Sequence, residues 1–318
     1  MKNKEELLTE IIADLAKNEQ DSLEKIVDLL EVKPEFINSQ LDKAILYHQK
    51  NTYWKEVSLS SLLIDSITRY SQENADDLII DLLKSSYEEG AVISYVNPSD
   101  TFNPEKLGFE NILVEQSSKL ENLHSDKGDG RIEDRQFLGA LSHISRIYRL
   151  ARVDAGIKRD IEDWIQIDSI KNKPKYAIYY EGDLPLGYII YSISDSLTVY
   201  ELVHLSSKAY KAMVYFLQKL GNDKGISNVQ YQTFIGQGPL IPGENIIASP
   251  YSLMRIINLP EFLKVNPDLD FLLEITDSVI PENNGVYGDS RSPKVAMTIN
   301  EFTRYIMAGI EPTHKLKN

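Results

Sequence analysis

The sequence predicts an α/β (α+β) fold, with mixed sheets and flanking helices repeated in tandem and a small α/β domain near the C-terminal end. Three observations predict it. Apolar residues make up 42% of the 318 residues, enough for a full core, and at roughly 100 to 200 residues per domain this length holds two or three domains. Runs rich in β-branched and aromatic residues alternate with runs of helical periodicity. The order strand, helix, strand occurs twice, which within one sheet requires a parallel crossover.

Composition removes several classes of function. No apolar run approaches the roughly 18 to 20 residues that cross a bilayer, and the opening MKNKEELLTEIIADL is a charged amphipathic helix without the apolar core of a signal peptide. A cytoplasmic location is expected. The chain has no cysteine, which excludes disulfides, thiolate metal sites and a cysteine nucleophile. With 34 Lys plus Arg against 48 Asp plus Glu, the net charge of −14 repels a phosphate backbone and speaks against nucleic acid as a partner. Such a surface suits cationic ligands such as amines.

The elements follow in order. Residues 1–43 read as N-terminal helices: Leu7, Ile11, Ile12 and Leu15 share one face, and Ile26, Leu29 and Leu30 another after the capping residues Asp21 and Ser22. Residues 44–116 form a first unit. In it AILYH and YWKEVSLSSLLID are strands joined by a turn at QKNT, a helix carries Leu78, Ile79, Leu82 and Leu83, and AVISYV is a strand. The polar stretch 117–133 reads as a connection. A second unit, 134–236, has a helix from Phe137 to Trp164, strands KYAIYY, GYIIYSI and LTVYELV, a helix from Ser207 to Leu220, and the strand VQYQTF. From 250 to 318, LMRIINLPEFL, DFLLEITDSVIPENNGVYG, VAMTI and the helix NEFTRYIMAG make the small domain.

Several motifs carry no chemistry. SDKGDGRIEDRQ fails as a calcium loop, because with Gly130 as the loop glycine the ligand positions fall on Ser125, Lys127 and Gln136. GQGP, Gly236 to Pro239, lacks the lysine and helix of a nucleotide loop. His48, His124, His143, His204 and His314 show no i, i+4 pair, so no metal site is expected. His204 reads as a packed or rim residue at a strand end. Tyr176, Tyr179, Tyr180, Tyr188 and Tyr191 fit sheet packing. Asp270, Asp277 and the Asn283 to Gly285 turn are explained by structure.

Two stretches carry a family resemblance. TVYELVHLSSKAYKAMVYFL resembles the central domain of the Eis-like (enhanced intracellular survival) acetyltransferases. LMRIINLPEFL, followed by a D-x-x-x-P-x-N-x-G turn at Asp277, Pro281, Asn283 and Gly285, resembles their C-terminal sterol-carrier-like domain. The match spans about Ser58 to Gly309. It implies two GNAT-type N-acetyltransferase units followed by the sterol-carrier-like domain, with acetyl-CoA as cofactor, a primary amine as acceptor and a homo-oligomeric assembly. Against that family, the chain reads as divergent and as shortened at both ends, including the closing segment that carries the family's terminal carboxylate.

The resemblance places the cofactor on SLSSLLIDSITRYSQENADDLIIDLL. Leu62, Leu63 and Ile64 become the strand that pairs with the pantetheine amides, and Arg69, Tyr70, Ser71, Gln72, Glu73 and Asn74 become the pyrophosphate turn. Arg69 keeps the family's arginine. Gln72 stands where a glycine lets backbone approach phosphate, Asn74 stands in place of a small residue, and Glu73, Asp76 and Asp77 add negative charge at the first helical turn. The family's general-acid tyrosine falls on Pro104, or on Asn103 one residue earlier, within FNPEKLGFE; neither donates a proton at neutral pH. Catalytic residues are therefore unassigned, with Tyr95, Asn97 and Asn103 as candidate substitutes. Two functions follow: an acetyl-CoA-dependent N-acetyltransferase of weak or lost activity, or a non-catalytic scaffold or binding protein on the same fold.

Overall fold

The computed structural model describes residues 31–37, 40–54, 57–69, 75–99, 101–120, 127–152, 156–170, 174–234, 247–266 and 269–308. Among these the chain divides into two compact units. The first takes residues up to Thr52, Val57–Ile112 and those from Pro250 onward; the second takes Tyr53, Trp54 and Leu113–Ser249.

The sheet of the first unit runs β1 (Glu31–Ile37), β2 (Gln40–Trp54), β3 (Val57–Arg69), β4 (Ile93–Val96) and β11 (Ile247–Ile256). Between β3 and β4 lies α1 (Asp76–Glu88), and β3 pairs parallel with β4, so the expected crossover is present. Helix α1 buries Leu78, Ile79, Leu82 and Leu83 against Leu62, Ile64, Val96, Phe102 and Phe109. A second, three-stranded sheet, β13 (Gly285–Tyr287), β12 (Leu272–Thr276) and β14 (Lys294–Thr298), stands with α5 (Leu259–Lys264) and α6 (Ile299–Ala308) in the same unit. The sequence reading made 250–318 a domain of its own. The structure instead enters β11 in the first sheet, antiparallel to β4 from Leu253↔Val96 to Ile256↔Ile93.

The second unit carries β5 (Glu110–Lys119) from Leu113 onward, β10 (Asn228–Phe234), β9 (Leu197–His204), β8 (Leu184–Ile193), β7 (Lys175–Glu181) and β6 (Arg131–Arg135), in that spatial order. Helix α4 (Ser207–Lys224) links β9 to β10, which pair parallel as the strand, helix, strand order required. One face of the sheet packs Met213, Val214 and Leu217 of α4. The other packs Ile144, Ile147 and Tyr148 of α2 (Phe137–Ala151) and Trp164 of α3 (Ile161–Ile170).

Four sequence expectations change. Glu31–Ile37 is a strand rather than part of a helical region; Pro34 is tolerated because β1 is an edge strand. The helices read around Leu7 and Ile26 lie outside the described residues. QKNT is no turn, since β2 runs unbroken through it. The connection at 117–133 contains the end of β5 and the start of β6, whose RIEDR sequence is that of a charged edge strand. The single helix expected from Phe137 to Trp164 is two, ended at Arg152, whose backbone is left-handed (φ 44°) and donates to the Tyr148 carbonyl. The five strand tyrosines are all buried within their own unit, where they build its core. No helix among the described residues is long and apolar enough to cross a membrane.

Candidate functional site

Both crossovers share one feature: their parallel strands pair over a short stretch and then part. In the first unit the ladder runs from Ser61↔Ile93 to Ile64↔Val96, and β3 continues to Arg69 after β4 has ended. Leu62, Leu63 and Ile64 lie inside the sheet between β2 and β4, with side chains buried on both faces. The stretch of β3 that extends past β4 is Asp65 to Arg69. Arg69 closes the strand; Tyr70, Ser71, Gln72, Glu73 and Asn74 lie outside the described residues.

The start of α1 is occupied by its own chain. The Ala75 amide donates to the Thr101 carbonyl at 2.8 Å. The buried Asp76 carboxylate accepts from the Asn103 amide at 2.9 Å and from Lys106 Nζ at 3.3 Å. Asp77 adds an exposed carboxylate in the same turn. Asn103 and Pro104 thus sit in a turn tied to Asp76, closed by the Phe109 amide donating to the Pro104 carbonyl.

Sequence reasoning missed a pair beside this strand end. His48 Nδ1 lies 2.7 Å from Asp65 Oδ2, joining β2 to the first β3 residue past the β4 ladder. A carboxylate at one ring nitrogen fixes the imidazole tautomer and orientation. Seventeen residues separate the two in sequence, and only the pairing of two strands brings them together.

In the second unit β9 pairs with β10 from Leu197↔Val229 to Val199↔Tyr231 and no further. The next residue, Tyr200, is a bulge: Ile190 of β8 faces Glu201 while Tyr191 faces Val199, which leaves Tyr200 unmatched. Its hydroxyl lies 2.9 Å from Ser192 Oγ. Glu201 accepts from Arg159 Nη1 at 2.8 Å and Tyr188 OH at 2.7 Å, and the Arg159 guanidinium lies over the rings of Tyr148 and Trp164. Burial, and then the Glu201 charge, push the Tyr188 phenol well above its ordinary range, so it is a fixed donor. A glutamate within an otherwise apolar strand was the available signal for this cluster. Beyond β9, Ser206 caps α4 by accepting from the Ala209 amide at 3.1 Å. The first turn of α4 carries no acid, and Lys208 and Lys211 stand exposed there. Burial lowers the pKa of His204, whose ring packs against Tyr210 at 5.3 Å.

Comparison with known proteins falls on the same ground. Residues 150–235, within the second unit, match the family described as Acetyltransferase (GNAT) domain. A solved protein of Enterococcus faecalis V583, described as a probable N-acyltransferase, is similar over 96% of this chain and 88% of its own, at 19% identity and a TM-score of 0.76. A GCN5-related N-acetyltransferase from Anabaena variabilis is similar over 87% and 80%, at 15% identity and a TM-score of 0.68. Eis1 from Mycobacterium abscessus is similar over 89% and 85%, at 16% identity and a TM-score of 0.64. These likenesses establish the fold. A comparison with curated proteins returns no match.

Proposed function

We propose that the chain is an Eis-like GNAT N-acetyltransferase homologue whose transfer of acetyl from acetyl-CoA to a primary amine is weak or lost. The observation that carries this reading is the start of α1. A helix N-terminus binds a pyrophosphate through its free amides and positive dipole end. Here Asp76 and Asp77 put two carboxylates in that field, and the Asp76 carboxylate anchors the 101–106 turn beside it. An incoming polyphosphate meets charge of its own sign. The nearby residues at the family's proton-donor position, Asn103 and Pro104, supply no acid group. The acidic surface, at net charge −14, favours a cationic acceptor such as a polyamine, a lysine side chain or an aminoglycoside.

The test supplies acetyl-CoA with a panel of such amines and follows release of free CoA. Turnover of about 1 s⁻¹ or faster, the low end of the ordinary enzyme range, overturns the reading. A single observation favours retained chemistry: the His48–Asp65 pair provides a histidine oriented as a general base for the acceptor ammonium. If turnover is found, His48→Gln is expected to lower kcat by roughly 10² to 10⁴. Assembly into a homo-oligomer follows from the family resemblance, and light scattering that reports a monomer at micromolar concentration removes it.

A further inference from the structure

Seven large apolar side chains stand exposed among the described residues, and four of them, Leu138, Leu150, Ile161 and Ile165, belong to the helices α2 and α3 of the second unit. Scattered exposed leucines need no explanation, whereas their concentration on one surface marks an interaction site. Leu138 is 83% exposed. Both helices pack inward on one core, through Ile144, Ile147 and Tyr148 of α2 and Trp164 of α3. They run antiparallel: Tyr148, near the end of α2, meets Trp164 at 5.5 Å, while Phe137 at its start and Asp168 near the end of α3 both meet Tyr176.

The outer stripe of α2 is Leu138, Ser142, Arg146 and Arg149, at i, i+4, i+8 and i+11, with Leu150 beside it. That of α3 is Ile161, Ile165 and Ser169, at i, i+4 and i+8, with Glu162 beside it. All of these residues are exposed. The charges divide between the helices, for α2 contains no acid and α3 no base. Among the described residues, Arg146, Arg149 and Glu162 make no ion pair.

A uniformly acidic or basic face calls for a partner of opposite charge. A face that sets a basic helix beside an acidic one is complementary to its own copy, as an isologous interface requires. We propose that the outer face of α2 and α3 binds a second copy of the chain about a two-fold axis along the groove between the two helices. Such an axis lays α2 over the partner's α3 and keeps every residue at its own height along the groove. Tyr148 and Trp164 share a height, so Arg149 stands opposite the partner's Glu162, and Leu150 opposite the partner's Ile161 and Ile165. Helices of 15 and 10 residues side by side offer a footprint of about 400 Å². That is about half the area each partner gives to a standard interface, so a weak dimer with a dissociation constant in the micromolar range is expected. The proposal locates the homo-oligomer suggested above and does not depend on acetyl transfer.

Sedimentation velocity of the full chain, from low micromolar to submillimolar concentration, reads the assembly. The expected result is a reversible dimer, weakened about tenfold by Arg149→Glu, by Glu162→Arg and by Ile165→Glu, since a two-fold interface carries each contact twice. All three positions are exposed, and far-UV circular dichroism checks that each variant is folded. Glu162→Arg lowers the net negative charge of the chain, so a loss of association there separates local pairing from general repulsion. Arg149→Glu combined with Glu162→Arg restores opposite charges across the axis and is expected to recover most of the wild-type association. A wild-type chain that stays monomeric throughout overturns the proposal together with the homo-oligomer, and leaves this face to a different protein. Dimers that persist unchanged in folded Arg149→Glu and Ile165→Glu variants overturn the proposal alone and place the assembly on another surface.

Discussion

Replacing Asp277 by alanine tests what joins the C-terminal segment to the core of the first unit. Arg255 and Asp277 form an ion pair at 2.5 Å with both side chains at 0% exposure. Asp277 also accepts from the amides of Val279 (2.9 Å) and Ile280 (3.1 Å) and from Asn283 Nδ2 (2.8 Å). Arg255 in turn donates to the Leu107 carbonyl, which fastens the 102–110 segment to β11. Removing one partner of a buried pair leaves an uncompensated charge and costs about 3 to 5 kcal/mol. For a unit of this size, at roughly 2 to 4 °C per kcal/mol, the melting midpoint falls by about 10 °C. Urea unfolding followed by far-UV circular dichroism measures the loss. The combined Arg255→Met, Asp277→Leu variant removes the stranded guanidinium and is expected to recover that share, but not the amide bonds that Asp277 alone accepts. A loss below about 1 kcal/mol for Asp277→Ala, or no recovery in the combined variant, would refute the claim that the cost comes from stranding the buried Arg255 charge.

Three further outcomes are expected. Gly108→Ala places a Cβ 2.5 Å from Arg255 Nη1 and 2.9 Å from Ile299 Cγ2, at a φ of +76°, and so costs about 2 to 4 kcal/mol from left-handed strain and overpacking, read by the same unfolding assay. Glu110 has a pKa raised by burial, opposed by its bond from Asn300 Nδ2. Its folded form therefore binds the proton more tightly than the unfolded chain, a contribution to stability that is present below the ordinary carboxylate pKa and lost as pH rises through the raised value. Glu110→Gln is expected to raise the melting midpoint at neutral pH, with the difference vanishing on acidification. Asp77→Ser removes an exposed carboxylate from the first turn of α1 and is expected to tighten acetyl-CoA binding by roughly two- to fivefold, the worth of one charge at a helix terminus; unchanged or weaker binding by calorimetry counts against an anion seat at that turn.

The two crossovers were legible because their strands are apolar runs and their helices carry a clear 3.6-residue face, as with Leu78, Ile79, Leu82 and Leu83. Strand β6 was not, because an edge strand need bury only part of itself and RIEDR looks like solvent-facing loop. Asp277 and Asn283 could be read as turn residues from spacing. Their main role, closing a network on Arg255, depends on contacts spanning 22 residues to Asp277 and 148 to Leu107, which no local pattern records. The His48–Asp65 pair is hidden for the same reason, since strand pairing assembles it.

The electrostatics of the two helix starts separate the chemistry of two otherwise similar crossovers. Each unit supplies strands that part after a short parallel ladder, the part of the design that backbone topology alone provides. In the first, the strand that runs on carries a histidine–carboxylate pair at its side, but the helix begins with Asp76 and Asp77 and is tied to the 101–106 turn. In the second, the bulge at Tyr200 and the acid-free turn with Lys208 and Lys211 suit an anion, while Glu201 beside the bulge is committed to Arg159 and Tyr188. Acetyl transfer from a polyphosphate-bearing thioester needs an anion seat and a base at one opening, because proximity supplies much of the rate. Among the described residues each opening shows only part of that set, and this division supports reading the chain as a fold retained with its acetyl transfer weakened.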